Sequence, residues 1–104
     1  MAMRAIARLT IEPYIIDTLM PDLIGHDRRP SAFVVYLYLW RHTDGGRAES
    51  DAIPLRAIAE GTGVSKRAVQ NALRALARRR LISVSQTTPT SAPTYTVHRP
   101  WVRR

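Results

Sequence analysis

The segment SKRAVQNALRALARRR, residues 65–80, carries the side chains best suited to chemistry with another molecule. Val69, Leu73 and Leu76 recur at helical spacing, and Ala68, Ala72 and Ala75 add small residues for close packing. That inward stripe leaves Lys66, Arg67, Gln70, Asn71 and Arg74 facing out. Arg and Lys can pair with O6 and N7 of guanine, and Asn and Gln with N6 and N7 of adenine, so these types match the base edges of a major groove. A face needed only for solubility would also include Asp or Glu, and this one has none.

Arg78, Arg79 and Arg80 follow at the end of the same segment, where cations complement a helix dipole and can pair with a sugar-phosphate backbone. Three consecutive residues cannot share one helical face, so the expectation is phosphate contact by at least one. Thr87 and Thr88, with Thr90 and Ser91 behind them, offer hydroxyls to phosphate, although QTTPTSAP has no Arg or Lys and equally reads as an ordinary polar loop. The tail HRPWVRR adds Arg99 as a phosphate candidate and extends the basic footprint through Arg103 and Arg104; the other reading is a frayed end with Trp101 packed back on the domain.

The remaining chemistry-bearing residues do not assemble into a site. His26, His42 and His98 lie far apart with no partner at metal-ligand spacing, and the chain has no cysteine, so no metal is expected. The eight carboxylates show no pairing that predicts catalytic use. Ser65 lacks a G-x-S-x-G context, and Gly61 to Gly63 lacks the Lys-Ser/Thr of a phosphate-binding loop. No catalytic residue and no cofactor are expected. Tyr36, Tyr38 and Trp40 alternate with aliphatics and have no convergent polar set, so they read as packing residues ahead of a ligand pocket, and no small-molecule effector is evident.

At 104 residues the chain has room for one domain with a modest core, and 45% hydrophobic with 23% charged residues is the balance of a folding globular chain. Its net charge of +8 is unevenly placed. Residues 1–60 hold seven Arg against eight Asp and Glu, a net −1, whereas residues 61–104 hold one Lys and eight Arg against no acid, a net +9. Such a field suits a polyanion, with nucleic acid ahead of an anionic membrane surface. No stretch approaches the roughly 18 apolar residues of a membrane span, and the N-terminus lacks the apolar core of a secretory signal. Together with the absence of cysteine, this leads to the expectation of a cytoplasmic protein with no membrane partner.

The elements that must position these side chains follow from pattern. Residues 1–30 form an N-terminal extension: a short arm over 4–12 with Ile6, Leu9 and Ile11, then helical turns over 14–25, where Pro21 and Asp22 suit a start and Gly25 a stop. HDRRP is a polar connection. Ser31 is placed to cap a helix through residue 42, in which Phe33 to Trp40 are eight consecutive apolar residues. One stripe, Ala32, Val35, Tyr36 and Leu39, should face the core; the other, Phe33, Leu37 and Trp40, should meet the N-terminal segment or a second copy, which makes a homodimer through residues 31–42 a possibility. DGGRAESD is a loop, Ala52 and Ile53 are a candidate short strand, and LRAIAEGTG is a short helix ending at Gly61 or Gly63. Ser65 caps the helix running to about Arg80, and alternating LISVS and TYTVH make a hairpin with a long tip.

Within this order, Ala59, Gly63 and Val69 sit at offsets 0, 4 and 10, a pattern that resembles the helix-turn-helix signature, and the hairpin after it resembles the winged-helix branch. Small Ala permits close helix approach, Gly supplies the turn and Val locks the second helix onto the first. The resemblance runs from about Ser31 to His98 and implies a mainly α winged helix-turn-helix domain with a small β-hairpin, followed by a basic tail over 99–104. It further implies a second helix, about 65–80, in the major groove, with Ser65, Lys66, Arg67, Gln70 and Asn71 as the base-reading set, Arg74 on a base or a phosphate, and the wing, about 81–98, beside it. The function expected is sequence-specific binding of double-stranded DNA by a transcriptional regulator. Replication initiation or partition of a plasmid or phage is the alternative within DNA binding, and a protein-interaction adaptor is the alternative outside it.

Overall fold

The computed structural model describes residues 8–102. Arg4, Ile6, Arg103 and Arg104, named above, lie outside them. The first described helical stretch is wound wide, in π-helical turns over Ile15–Leu19 and Pro21–His26. Ile15, Leu19 and Leu23 recur every four residues and are buried, and the second of these segments packs on the helix that follows. Gly25 does not stop it. The turns run one residue further and close where the Asp27 amide donates to the Asp22 carbonyl, and the reversal falls at Arg28, with φ +56°.

Helix α1, Pro30–His42, starts one residue before the expected cap. Pro30 occupies the first helical position, where its fixed φ fits and its missing N–H costs nothing, so Ser31 sits inside the first turn. Ala32, Phe33, Val35, Tyr36, Leu39 and Trp40 are all buried, so both apolar stripes are covered within one chain. Val34, at 38% exposure, is the one large apolar residue of α1 left open, which leaves this helix little apolar surface for a second copy.

Beyond α1 the chain reverses through Asp44, Gly45 and Gly46, all at positive φ. Residues 50–53 then run beside the final hairpin strand. The Ser50 amide donates to the Tyr95 carbonyl and the Ile53 amide to the Pro93 carbonyl, each at 2.9 Å. The Tyr95 amide, however, bonds the Ser50 hydroxyl at 2.9 Å. A side chain thus stands where a backbone acceptor would complete a ladder, and the short strand expected at Ala52 and Ile53 does not form.

Helix α2, Leu55–Thr62, ends at Gly63, whose φ of +78° is the left-handed cap. Gly61 has a different duty: a β-carbon there would lie 2.5 Å from the Tyr38 ring, so its missing side chain is what lets α2 approach α1. Helix α3, Lys66–Arg78, opens on Ser65, whose side chain accepts the Ala68 amide. Strands β1, Ile82–Ser85, and β2, Thr94–Val97, pair antiparallel with Ile82 opposite Val97 and Val84 opposite Tyr95. Three helices on a shared core, with wide turns before them and a hairpin after them, make a mainly α domain consistent with a winged helix. No described helix is long and apolar enough to cross a membrane.

Candidate nucleic-acid interface

Val69, Ala72, Ala75 and Leu76 of α3 are buried, and Leu73 is half-buried against the same core. A turn of about 100° per residue then sends Arg67, Gln70, Asn71, Arg74 and Arg78 to one solvent face, with Lys66 at its edge. All six are exposed. The Arg74 guanidinium donates to the Asn71 amide oxygen at 2.9 Å, which holds two adjoining polar ends in register. Ser65 spends its acceptor on the cap and keeps its hydroxyl hydrogen. The structure therefore brings Lys66, Arg67, Gln70, Asn71 and Arg74, five of the six residues expected to read bases, onto one face with Arg78, while Ser65 stands at the helix start as its cap.

The arginine triplet divides into three parts. Arg78 is the last helical residue and shares the face of Arg67 and Arg74. Arg79 turns back: its Nε and Nη2 donate to the two carboxylate oxygens of Asp27 at 2.8 and 3.2 Å. That guanidinium, with a further bond from His26, holds the Asp27 carboxyl below its ordinary value. Arg80 takes φ +60°, and the amides of Arg80 and Leu81 bond the carbonyls of Ala77 and Leu76, both at 2.9 Å. This is a Schellman closure, with Leu76 and Leu81 both buried in the core and arginine where glycine is usual.

A family described as a helix-turn-helix domain matches residues 29–82. The chain belongs to that family. No curated protein and no solved structure matches it. The match spans α1, α2 and α3 and stops at the first residue of β1, so the three helices are the helix-turn-helix domain and most of the hairpin lies beyond it. Membership supports DNA as the partner.

Around this helix-turn-helix domain the other expected contacts are more scattered. At the hairpin tip, Thr88 and Ser91 bond each other through amides and hydroxyls, and Gln86 donates to the Ser91 carbonyl at 2.7 Å. Thr88 is thus committed to shaping the tip. The Thr87 hydroxyl has no bond among the described residues. Arg99 does not join α3: it pairs with Glu12 of the N-terminal segment, whose other oxygen accepts the Trp101 indole at 2.7 Å. Trp101 also stacks on Tyr14 with centroids 4.6 Å apart, so it packs back on the domain. The Trp101 bond foremost holds the Glu12 carboxyl below its ordinary value; burial pushes the other way, and the bond and charge of Arg99 add to the lowering.

Two residues beside the helix-turn-helix face escaped the sequence reading. Arg28 and Arg29 are exposed and flank a shallow cleft of about 180 Å³ between the start of α1 and α3, lined also by Ala68 and Asn71. Their guanidinium groups extend the cationic surface of α3 toward the N-terminal side. The available signal was the adjacent pair in HDRRP, which its turn-like composition presented as a mere connection.

Proposed function

We propose that this helix-turn-helix protein binds double-stranded DNA in a sequence-specific manner and acts as a transcriptional regulator, by binding and not by catalysis. The observation that carries the reading is the solvent face of α3, where Arg67, Gln70, Asn71 and Arg74 stand exposed with no carboxylate among them. These side chains have the donor and acceptor patterns that discriminate guanine and adenine in the major groove. Lys66, Arg78, Arg28 and Arg29 surround them and supply the charge that grips phosphate. A face with bidentate readers at its centre and cations at its rim suits recognition of chosen sequences, which is what a regulator requires. The hairpin lies on the same side of the chain order as a wing would.

The test is selection of bound sequences from a random duplex library at moderate salt, followed by salt titration of the winner. An enriched motif, with log K falling against log salt at a slope of about −3 to −4 for four phosphate contacts, supports the reading. Retention without enrichment removes the sequence-specific part. No retention at all removes the DNA reading and favours a protein-binding adaptor.

A further inference from the structure

Away from the α3 face, the chain encloses a cleft of about 550 Å³, a volume within the range of about 300–1,000 Å³ typical of small-molecule sites. It is built by three stretches distant in sequence: residues 8–12, the end of α1 with the chain that follows it to Asp51, and Arg99. None of its lining residues belongs to α2, α3 or the hairpin strands, so an occupant would leave the recognition face uncovered. Gly45, at φ +66°, passes beside the Trp40 ring, to which a β-carbon at this position would stand at 3.4 Å, and the Trp40 indole donates to the Thr10 carbonyl. This floor is fixed by packing and a hydrogen bond.

The charges of the lining decide what the cleft suits. Arg99 and Glu12 satisfy each other. Arg8, Arg41 and Arg47 also face it, and among the described residues none is paired with a carboxylate. Asp44 and Asp51 line it as well, likewise without a cationic partner. One carboxylate is satisfied by a single guanidinium fork, whereas a phosphoryl group presents three oxygens and accommodates several. Aspartates in the same cleft accept hydrogen bonds from hydroxyl or amino groups. We propose that this cleft binds a small phosphate monoester rich in hydroxyl or amino donors, a sugar phosphate or a mononucleotide, with Arg8, Arg41 and Arg47 on the phosphate and Asp44 and Asp51 on the donors.

The experiment titrates the full chain separately with ribose 5-phosphate, adenosine monophosphate and inorganic phosphate at constant ionic strength. It follows thermal unfolding and the fluorescence of Trp40, which lines the cleft. One of the two organic phosphates should raise Tm by about 10 °C at a concentration about a hundred times its Kd, and which one does so identifies the ligand source. The Arg41→Ala/Arg47→Ala variant should bind it at least about tenfold more weakly, the loss of one charge-assisted contact, while binding duplex DNA as the parent does. The Arg67→Ala/Arg74→Ala variant removes the same charge from α3 and should keep the ligand. The proposal fails if neither organic phosphate shifts Tm, if inorganic phosphate shifts it equally, or if both double variants lose the ligand alike. Each of these three failures is read from the ligand titration alone, so the proposal stands or falls separately from the function proposed above.

Discussion

Arg78, Arg79 and Arg80 form one run in the sequence, yet their settings in the fold assign them three different duties, and alanine or glycine replacements should separate these. Arg78 is exposed on the face of Arg67 and Arg74. Arg78→Ala should make the salt slope of duplex binding less negative by about 0.9, the contribution of one phosphate contact, and leave Tm unchanged. Arg79 is clamped by both oxygens of Asp27, with side-chain exposures of 35% and 21%. Partial exposure keeps that pair to about 1 kcal/mol at most, so Arg79→Ala should lower Tm by about 4–8 °C or less and leave the slope alone. Arg80 holds φ +60°. A left-handed non-glycine residue costs about 1 kcal/mol, part of which glycine returns as greater freedom of the unfolded chain; Arg80→Gly should therefore raise stability by about 0.5 kcal/mol. Thermal unfolding and salt-dependent fluorescence anisotropy with one duplex measure all three variants. If Arg79→Ala flattened the slope as much as Arg78→Ala while Tm stayed fixed, or if Arg80→Gly lowered Tm, the division of the triplet would be refuted.

Arg67→Ala and Asn71→Ala should each relax preference at one base position by about 1–3 kcal/mol, read by repeating sequence selection with each variant; unchanged motifs from both would show that α3 is not the reader. Gly61→Ala should destabilise by about 1–3 kcal/mol because its β-carbon would meet the Tyr38 ring at 2.5 Å, and the loss should shrink in a Tyr38→Ala background. Gly63→Ala meets open space and carries the left-handed backbone cost alone, about 1 kcal/mol, whatever stands at position 38. Asp27 and Glu12 both have lowered folded pKa values, from 3.8 and 4.5, so the stability they contribute is complete above those values and is lost as pH falls through the lowered ones. Asp27→Asn and Glu12→Gln should accordingly flatten the dependence of Tm on pH below about pH 4.5 and not at neutrality.

Local pattern carried much of this protein. The spacing of Val69, Leu73 and Leu76 sets the buried face of α3, and the outward set follows from helix geometry alone, because a regular helix repeats on the scale of a few residues. Ser65 as cap is likewise local, since it acts on a backbone group three residues away, whereas the choice of Gly63 over Gly61 as terminator was settled only by the fold, which sets Tyr38 against Gly61. The alternation in LISVS and TYTVH located both hairpin strands to within a residue at their ends. The α1 cap lies two residues before the expected Ser31, because Pro30 and Ser31 both favour a helix start and the choice between them depends on how the chain enters from Arg28.

What only the tertiary structure decided lies in contacts between distant residues. Arg79 meets Asp27 across 52 positions, and Arg99 meets Glu12 across 87, so no local window distinguishes these committed cations from the open ones on α3. Ser50 takes the place of a strand acceptor only because β2 lies beside it. Arg28 and Arg29 join the α3 face, and Arg8, Arg41 and Arg47 line one cleft, only after α1 has been buried along both of its apolar stripes. The sequence by itself determined which helix could read a duplex, because that property repeats every turn; where the remaining charges went was decided by packing, which brings together residues that carry no mark of one another in the chain.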